Sequence, residues 1–425
     1  MRLTEEQKAI LDGSKGETQA KVMETLVRYG ELFGADEMVP VTSQYNHLVT
    51  SFGLKALGSV YDLLDQLIDA DAVSKQKFSA DPRPMDRNVP ANLLEKFVFN
   101  NFMYTKQEEY EKQLGKLGLM DKDAFTCAAY FPEVGNTPRK GDVLSWSESS
   151  AVVYANSVLG ARCNRNSGII DIMGSIAGFV PSFGLLKDEG RKATWVVRIE
   201  TSGKPEAQLL GSAIGMKVVE DVPYIIGLDK YLGRKLDDDA KAYLKDFGAA
   251  TASNGAVGLY HVENITPEAV EHGRALVADG AKEYVIDDKE LQKVYDSYPV
   301  IWKDKDAKPR MCFIGCPHLS MAQLRKWTKD IRKGLDANGR KKVAVPTVLT
   351  TAPGVLNEFK KEKDYQTLVD CGVVLSYICP LMYMNNPICQ KVPTITSSNK
   401  LRTYTSARYY KDAELLKIIT GGSRK

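Results

Sequence analysis

The sequence predicts an α/β protein with a helical N-terminal region, and three observations carry that reading. Apolar residues recur at helical spacing as far as Leu117. From Lys192 onward, short β-rich runs alternate with amphipathic ones, the pattern of βαβ units on a largely parallel sheet. The last third repeats that alternation more cleanly. These shifts divide the chain into a helical region with a polar central segment at 1–192, a βαβ domain at 193–300 and a second α/β domain at 301–425. A length of 425 residues suits two or three domains, and 44% hydrophobic residues suffice for sizeable cores.

In the first part, Thr4 and Gln7 have capping-box spacing. Val22, Leu26, Val27, Leu32 and Phe33 then fall on one helical face, ended by Gly34. The first fifty residues therefore read as helical. Val60, Leu63, Leu64 and Leu67 mark another helix, the run Asp81-Pro-Arg-Pro-Met-Asp86 a loop, and Pro90 to Leu117 a further amphipathic helix. Ser145 and Glu148 again have capping-box spacing, and Ala151, Ala155, Val158 and Leu159 predict a helix from about Ser147 until Gly160 stops it. Arg162, Cys163, Asn164 and Arg165 follow in a loop. Two guanidinium forks there can grip a carboxylate or phosphate, or can be a plain surface arginine pair.

Strands are expected at Thr194 to Ile199, Val222 to Leu228 and Gly255 to His261, with helices at Glu206 to Met216, Asp237 to Phe247 and Pro267 to Ala278. Beyond Tyr298, Met311 to Ile314 reads as a strand, Gly315-Cys316-Pro317-His318 as a turn, and Ser320 with Gln323 as the cap of a helix reaching about Gly334. Val343 to Thr350, Val373 to Ile378 and Pro393 to Thr396 complete the strands, with a helix at Pro353 to Asp370. Cys316 and Cys379 thus lie just past the carboxyl ends of strands, the edge where ligands bind in open α/β sheets.

A net charge of +3, with no basic cluster interleaved with aromatics, points away from nucleic acid. No apolar run reaches membrane-spanning length and the N-terminus has no signal-peptide core, so no membrane partner and a cytoplasmic location are expected. Seven scattered cysteines do not make a disulfide framework in a chain this long, and four histidines are too few for a His-rich zinc site. Cys316 and Cys379 each precede a proline that fixes the backbone after the thiol. With Cys127 or Cys163 as a third ligand, such thiolates can hold an iron–sulfur cluster whose open iron accepts a leaving hydroxyl. Zinc is a weaker alternative because no close Cys-x-x-Cys pair exists. Cys312 and Cys389 read as packing residues and His261 as a core residue. His318 can protonate a departing hydroxyl or simply cap the helix it precedes. Ser398, Asn399 and Lys400 resemble an anion-binding loop, or a polar turn.

Taken together, Glu148-Ser149-Ser150-Ala151, Asn156-Ser157-Val158-Leu159-Gly160-Ala161-Arg162 with Asn164-Arg165, Thr266-Pro267-Glu268-Ala269, Gly315-Cys316-Pro317-His318-Leu319-Ser320 and Cys379-Pro380 resemble the aconitase X family. These are hydro-lyases related to aconitase, and the likeness is to their catalytic large subunit over almost the whole chain. The resemblance implies an aconitase-like, multi-domain, three-layer α/β fold and dehydration of a small hydroxy acid at an iron–sulfur cluster or mononuclear iron. Activities in the family include dehydration of cis-3-hydroxy-L-proline, the kind of substrate favoured here, and of phosphomevalonate. A non-catalytic metal-binding relative is the reading from a different class. The resemblance also implies a small swivelling subunit, for which no room is expected after Lys425 and which supplies the proton-abstracting serine.

Carried over by motif, Cys127 (in Thr126-Cys-x-x-Tyr130), Cys316 and Cys379 become the expected iron ligands, with Cys163 a possible fourth. Arg162 and Arg165 hold the substrate carboxylate, Glu148, Ser149, Asn156 and Asn164 join them in binding substrate, and His318, Ser398 and Lys400 are the catalytic candidates. Two departures bear on the substrate. The family often has Thr-Thr-x-Asn-Pro where this chain has Phe78-Ser-Ala-Asp-Pro82, and Tyr-Ala-Pro-Gly where it has Tyr404-Thr-Ser-Ala.

Overall fold

A computed structural model describes residues 1–86, 88–90 and 93–422. Part of the helix expected from Pro90 (residues 91 and 92) and Lys425 lie outside the described residues. The fold is α/β, and its two larger sheets are parallel. One orders its strands His261–Val262, Pro223–Ile226, Ala193–Ile199, Val277–Ile286; the other orders Val373–Ser376, Thr347–Thr351, Met311–Leu319, Thr394–Thr396, Arg408–Tyr409. Every pairing in both is parallel, so each crossover carries a helix, which is why strand and helix signals alternate along the sequence.

One continuous apolar core joins the two sheets to the central helix, through Val152, Val153, Phe247, Ile314 and Leu349 among others. Helix Asp238–Asn254 lies between helices Ala207–Val218 and Ser149–Tyr154. A separate N-terminal core gathers Leu26, Leu64, Phe78, Leu114 and Ile172. A third cluster surrounds Cys316 with Phe313, Phe99, Ile378 and Tyr383. Among the described residues no helix is long and apolar enough to cross a membrane.

Several expectations change. The first fifty residues are not all helical: Met38–Pro40 pairs antiparallel with Phe179–Pro181, and Asn46–Leu48 pairs parallel with Phe78–Ala80. Runs this short are below the length at which alternation is legible. The helix expected to reach Leu117 is interrupted after Phe99–Met103 and resumes at Gln107–Leu117. Helix Asp238–Asn254 runs seven residues past the expected end at Phe247, and of the strand expected at Gly255 to His261 only its end is formed, in the two-residue strand His261–Val262, with 255–260 irregular. Pro267–Ala278 is a helix only to Leu276, after which Val277–Ile286 is an unforeseen strand. Pro353–Asp370 is two helices, Pro353–Phe359 and Lys363–Asp370.

The central helix begins at Ser149, and its cap is Glu148, whose carboxylate accepts from Ala151 N–H; the Ser145 hydroxyl instead donates to Asp171. Its last turn, Ala155–Leu159, is a π-turn that ends where Gly160 takes the left-handed conformation, φ 72°.

The expected turn at Gly315–His318 lies within one long strand, Met311–Leu319. Ile314 pairs with Leu349 and Leu319 with Thr351, so Gly315-Cys316-Pro317-His318 bulges out of the ladder. Gly315 is required there, because its φ is +108° and a Cβ would stand 2.4 Å from Thr350 O.

Candidate active site

The carboxyl edges of two strand sets supply the site. In the N-terminal set, Asn46–Leu48 and Phe78–Ala80 pair in parallel, Ala80 bridges Phe125, and His47 bridges Trp146. Three of these segments then end in a polar residue: Asp81 after Ala80, Cys127 after Phe125-Thr126, and Glu148 after Trp146-Ser147. In the C-terminal sheet the bulge presents Cys316, strand Val373–Ser376 leads to Cys379, and strand Thr394–Thr396 leads to Ser398 and Lys400. A cavity of about 140 Å³ lies between the two edges, walled by Phe52, Asp81, Pro82, Cys127, Glu148, the Gly315–His318 bulge, Cys379, Pro380, Leu381 and Lys400.

Backbone contacts pin the three cysteines. His318 N–H points at Cys127 Sγ, 3.3 Å away. The Cys316 carbonyl accepts from the Ser398 hydroxyl and from Gln208 Nε2 (3.2 Å). Cys379 N–H donates to Arg83 O (2.8 Å), and Arg83 is fixed by Glu111 and by lying over the Phe125 ring. Lys245, fully buried, donates to His318 O (2.9 Å) and so braces the bulge from behind. Burial pushes all three thiols up, so they are neutral until a cation meets them.

Lys400 donates to Glu148 in a buried ion pair. Burial presses Glu148 toward its neutral form, yet Lys400, the Ser150 hydroxyl and Ala151 N–H outweigh it and hold the carboxyl below the ordinary range. For Lys400, burial is likewise overcome, chiefly by Glu148, and its ammonium stays charged. Asp81 is the reverse: burial and the nearby Glu148 raise its pKa, and no described residue hydrogen-bonds its carboxyl.

The structure brings Cys127, Cys316, Cys379, Glu148 and Lys400 together but sends other candidates elsewhere. Cys163 is buried in the main core, its thiol turned to Trp146 O and Asn164 O, and it does not line the cavity. Arg162 pairs with Asp188 and donates to Leu186 O, away from the cavity; of the two arginines only Arg165, exposed beside Gly258, lies within electrostatic reach of Glu148 and of Tyr404. Asn156 and Asn164 are structural. Asn156 holds Cys163 N–H and O and Gly258 O, while Asn164 holds Phe183 O and Leu185 N–H. Ser149 sits in the first turn of the central helix, outside the cavity wall.

His318 is at the cavity but both ring nitrogens are engaged, Nδ1 with the Thr126 hydroxyl and Nε2 with Ile378 O, each at 3.0 Å. Burial brings its pKa down to about 4, so it is neutral and has no free proton for a leaving group. Ser398 is likewise spent, donating to Cys316 O and accepting from Leu401 N–H as a helix cap.

Sequence reasoning missed Asp81, its neighbour His47, and Arg191. The last is buried, makes a two-pronged pair with Glu268 and also holds Asn156. The only sequence signal for Asp81 was its place in the departure Phe78-Ser-Ala-Asp-Pro82.

Among the described residues no group of three His, Cys, Asp or Glu side chains is already closed into a metal site. The donor chemistry nevertheless fits a thiophilic iron group, since three neutral thiols from three elements wall one cavity, with Cys316 within electrostatic reach of both Cys127 and Cys379.

Residues 1–189 match the model of the aconitase X first domain, and 193–296 that of the aconitase X second domain. The chain is 33% identical over 358 residues to the phosphomevalonate dehydratase large subunit of Thermococcus kodakarensis, covering 84% of this chain and 82% of that protein. It is 27% identical over 335 residues to the cis-3-hydroxy-L-proline dehydratase of Hypocrea jecorina, covering 77% of this chain and 52% of that protein. The crystal structure of Thermococcus kodakaraensis aconitase X in its holo-form is similar with a TM-score of 0.80 at 28% identity, over 99% of this chain and 100% of that one. On these matches, which agree with the cavity motifs, the chain belongs to the aconitase X family.

Proposed function

We propose that this chain is the large subunit of an aconitase-X hydro-lyase that dehydrates a small hydroxy acid of the cis-3-hydroxy-L-proline kind, completed by a small swivelling subunit. The observation that carries the reading is the convergence of Cys127, Cys316 and Cys379 on the cavity that also holds the Glu148–Lys400 pair. The thiols would hold an iron–sulfur cluster or a mononuclear iron, which when bound supplies a Lewis acid for the departing hydroxyl, a poor leaving group on its own.

The chain's own residues do the rest. Lys400, kept cationic by Glu148, places an ammonium in the wall beside Phe52, Pro82, Pro317, Pro380 and Leu381, where it can donate to a substrate carboxylate. Arg165 adds a second cation nearby, in reach of Glu148. The apolar walls narrow the cavity to a small acid. Glu148, Lys400 and His318 are committed to partners within the wall, and abstraction of the substrate's α-proton is assigned to the partner subunit.

A second reading, dehydration of phosphomevalonate, is favoured by the relatives' lengths. The chain aligns with 82% of a phosphomevalonate dehydratase large subunit but with 52% of a cis-3-hydroxy-L-proline dehydratase. Anaerobic co-purification with the small subunit, iron and sulfide analysis, and assay of both acids test the proposal. Iron at the cysteines and turnover of one acid are expected. A metal-free protein whose Cys316→Ser variant stays fully active would overturn it.

A further inference from the structure

Besides the thiols, four ionisable side chains wall the cavity: Asp81, Glu148, His318 and Lys400. Three are committed, Glu148 and Lys400 to each other and His318 through both nitrogens. Asp81 is not. It follows directly on strand Phe78–Ala80, its side chain is 12% exposed, and no described residue donates to its carboxyl.

Behind Asp81 stands His47, completely buried, with Nε2 3.7 Å from Asp81 Oδ1 and also without a partner. The network beyond it sets the tautomer. Ser79 Oγ receives an N–H from Asn136 (2.8 Å), and its own proton has two acceptors, His47 Nδ1 at 2.9 Å and Asn46 O at 3.5 Å. With the hydroxyl proton assigned to the shorter contact, His47 Nδ1 accepts and Nε2 carries the hydrogen, facing Asp81. Burial holds this ring neutral, at a pKa of about 4.

A buried carboxyl oxygen with no donor is costly, and beside an open cavity it is placed to be met by a bound ligand. We infer that Asp81 is a specificity-determining residue of this site: its carboxyl accepts a hydrogen bond from an N–H or O–H donor of the bound acid, and His47 Nε2–H behind it sets the carboxyl's orientation. Closing the 3.7 Å gap to hydrogen-bond range takes a movement of well under an ångström. The inference rests on the hydro-lyase reading for the identity of the ligand. Both candidate acids offer a donor, cis-3-hydroxy-L-proline through its ring ammonium and hydroxyl, phosphomevalonate through a hydroxyl alone.

The test uses the holoenzyme with its small subunit, comparing wild type with Asp81→Asn, which keeps the shape and replaces one acceptor by a donor, and with His47→Gln. For the acid that is turned over, Asp81→Asn raises KM by about tenfold to a hundredfold, with iron content unchanged and a smaller change in kcat. His47→Gln, a positioning change, raises the same KM less. A KM in Asp81→Asn within about twofold of wild type at full iron content overturns the inference. Titration calorimetry with each acid gives a readout free of turnover. Binding by wild type that weakens tenfold or more in Asp81→Asn sustains the inference; equal binding, or none by wild type, overturns it. Absence of turnover by wild type with both acids counts against the hydro-lyase reading alone, since the calorimetric comparison still decides Asp81. An effect with cis-3-hydroxy-L-proline only identifies the ammonium as the donor, and an effect with phosphomevalonate identifies the hydroxyl; either sustains the inference.

Discussion

Lys400 and Glu148, 252 positions apart in the sequence, meet in an ion pair that leaves their side chains 13% and 6% exposed and ties the C-terminal sheet to the central helix. Removing one partner strands the other in a poorly solvated wall. Glu148→Gln is therefore expected to destabilise the protein by about 3–5 kcal/mol, with most of that recovered in Glu148→Gln/Lys400→Met, where no buried charge is left alone. Activity is lost in both. Urea unfolding beside turnover measures the split, and a double variant no more stable than the single one would contradict it.

The seven cysteines divide into three at the cavity and four elsewhere. Cys127→Ser, Cys316→Ser and Cys379→Ser should each lower iron and sulfide per chain and abolish turnover. Cys163→Ser, in the core and turned from the cavity, should keep the iron and lose only stability, by about 1–3 kcal/mol for a polar group placed in an apolar site. Elemental analysis of anaerobically prepared protein reads both. Removal of iron by a chelator should stop turnover until iron and sulfide are restored.

Arg162 and Arg165, three residues apart, should behave differently. Arg165→Gln removes the cation that reaches Glu148 and should raise KM for the acid roughly tenfold, as expected for loss of one charge-assisted contact. Arg162→Gln breaks a partly exposed pair with Asp188 and should cost no more than about 1 kcal/mol of stability with KM unchanged. Steady-state kinetics of the two variants side by side would show equal effects if both belonged to one clamp.

Burial lowers both His47 and His318 to about 4 from 6.5. As pH falls from 6.5 toward 4, the unfolded chain takes up protons that the folded chain refuses, so stability is full above 6.5 and declines across that window. Each ring contributes a slope of at most about 1.4 kcal/mol per pH unit. Urea midpoints measured at pH 7, 6 and 5 should fall, and His47→Gln should remove about half of the part due to these two rings. A midpoint that is flat across this range would refute the assignment of neutral buried histidines.

What the sequence determined by itself was periodic or chemically specific. The alternation after Lys192 required parallel sheets, Ser320 with Gln323 marked a helix start that the structure reproduces as a capping box, and Gly160 marked a helix end. The motifs around Cys316 and Cys379 placed both thiols at a carboxyl edge, because residue type and strand order are local properties. Tertiary structure alone decided which side chains share the cavity. Arg162 and Arg165 look alike in sequence, yet Asp188 captures one and Gly258 leaves room along which the other lies. Cys163 sits between Arg162 and Asn164 but points into the core, since its backbone is held by Asn156. Asp81 carries no local signal, because its exposure to the cavity and its lack of a donor depend on His47, Glu148 and Cys379 arriving from distant segments. Periodicity reports which face of an element is apolar; it does not report what a buried polar group meets, and that meeting is what makes this site.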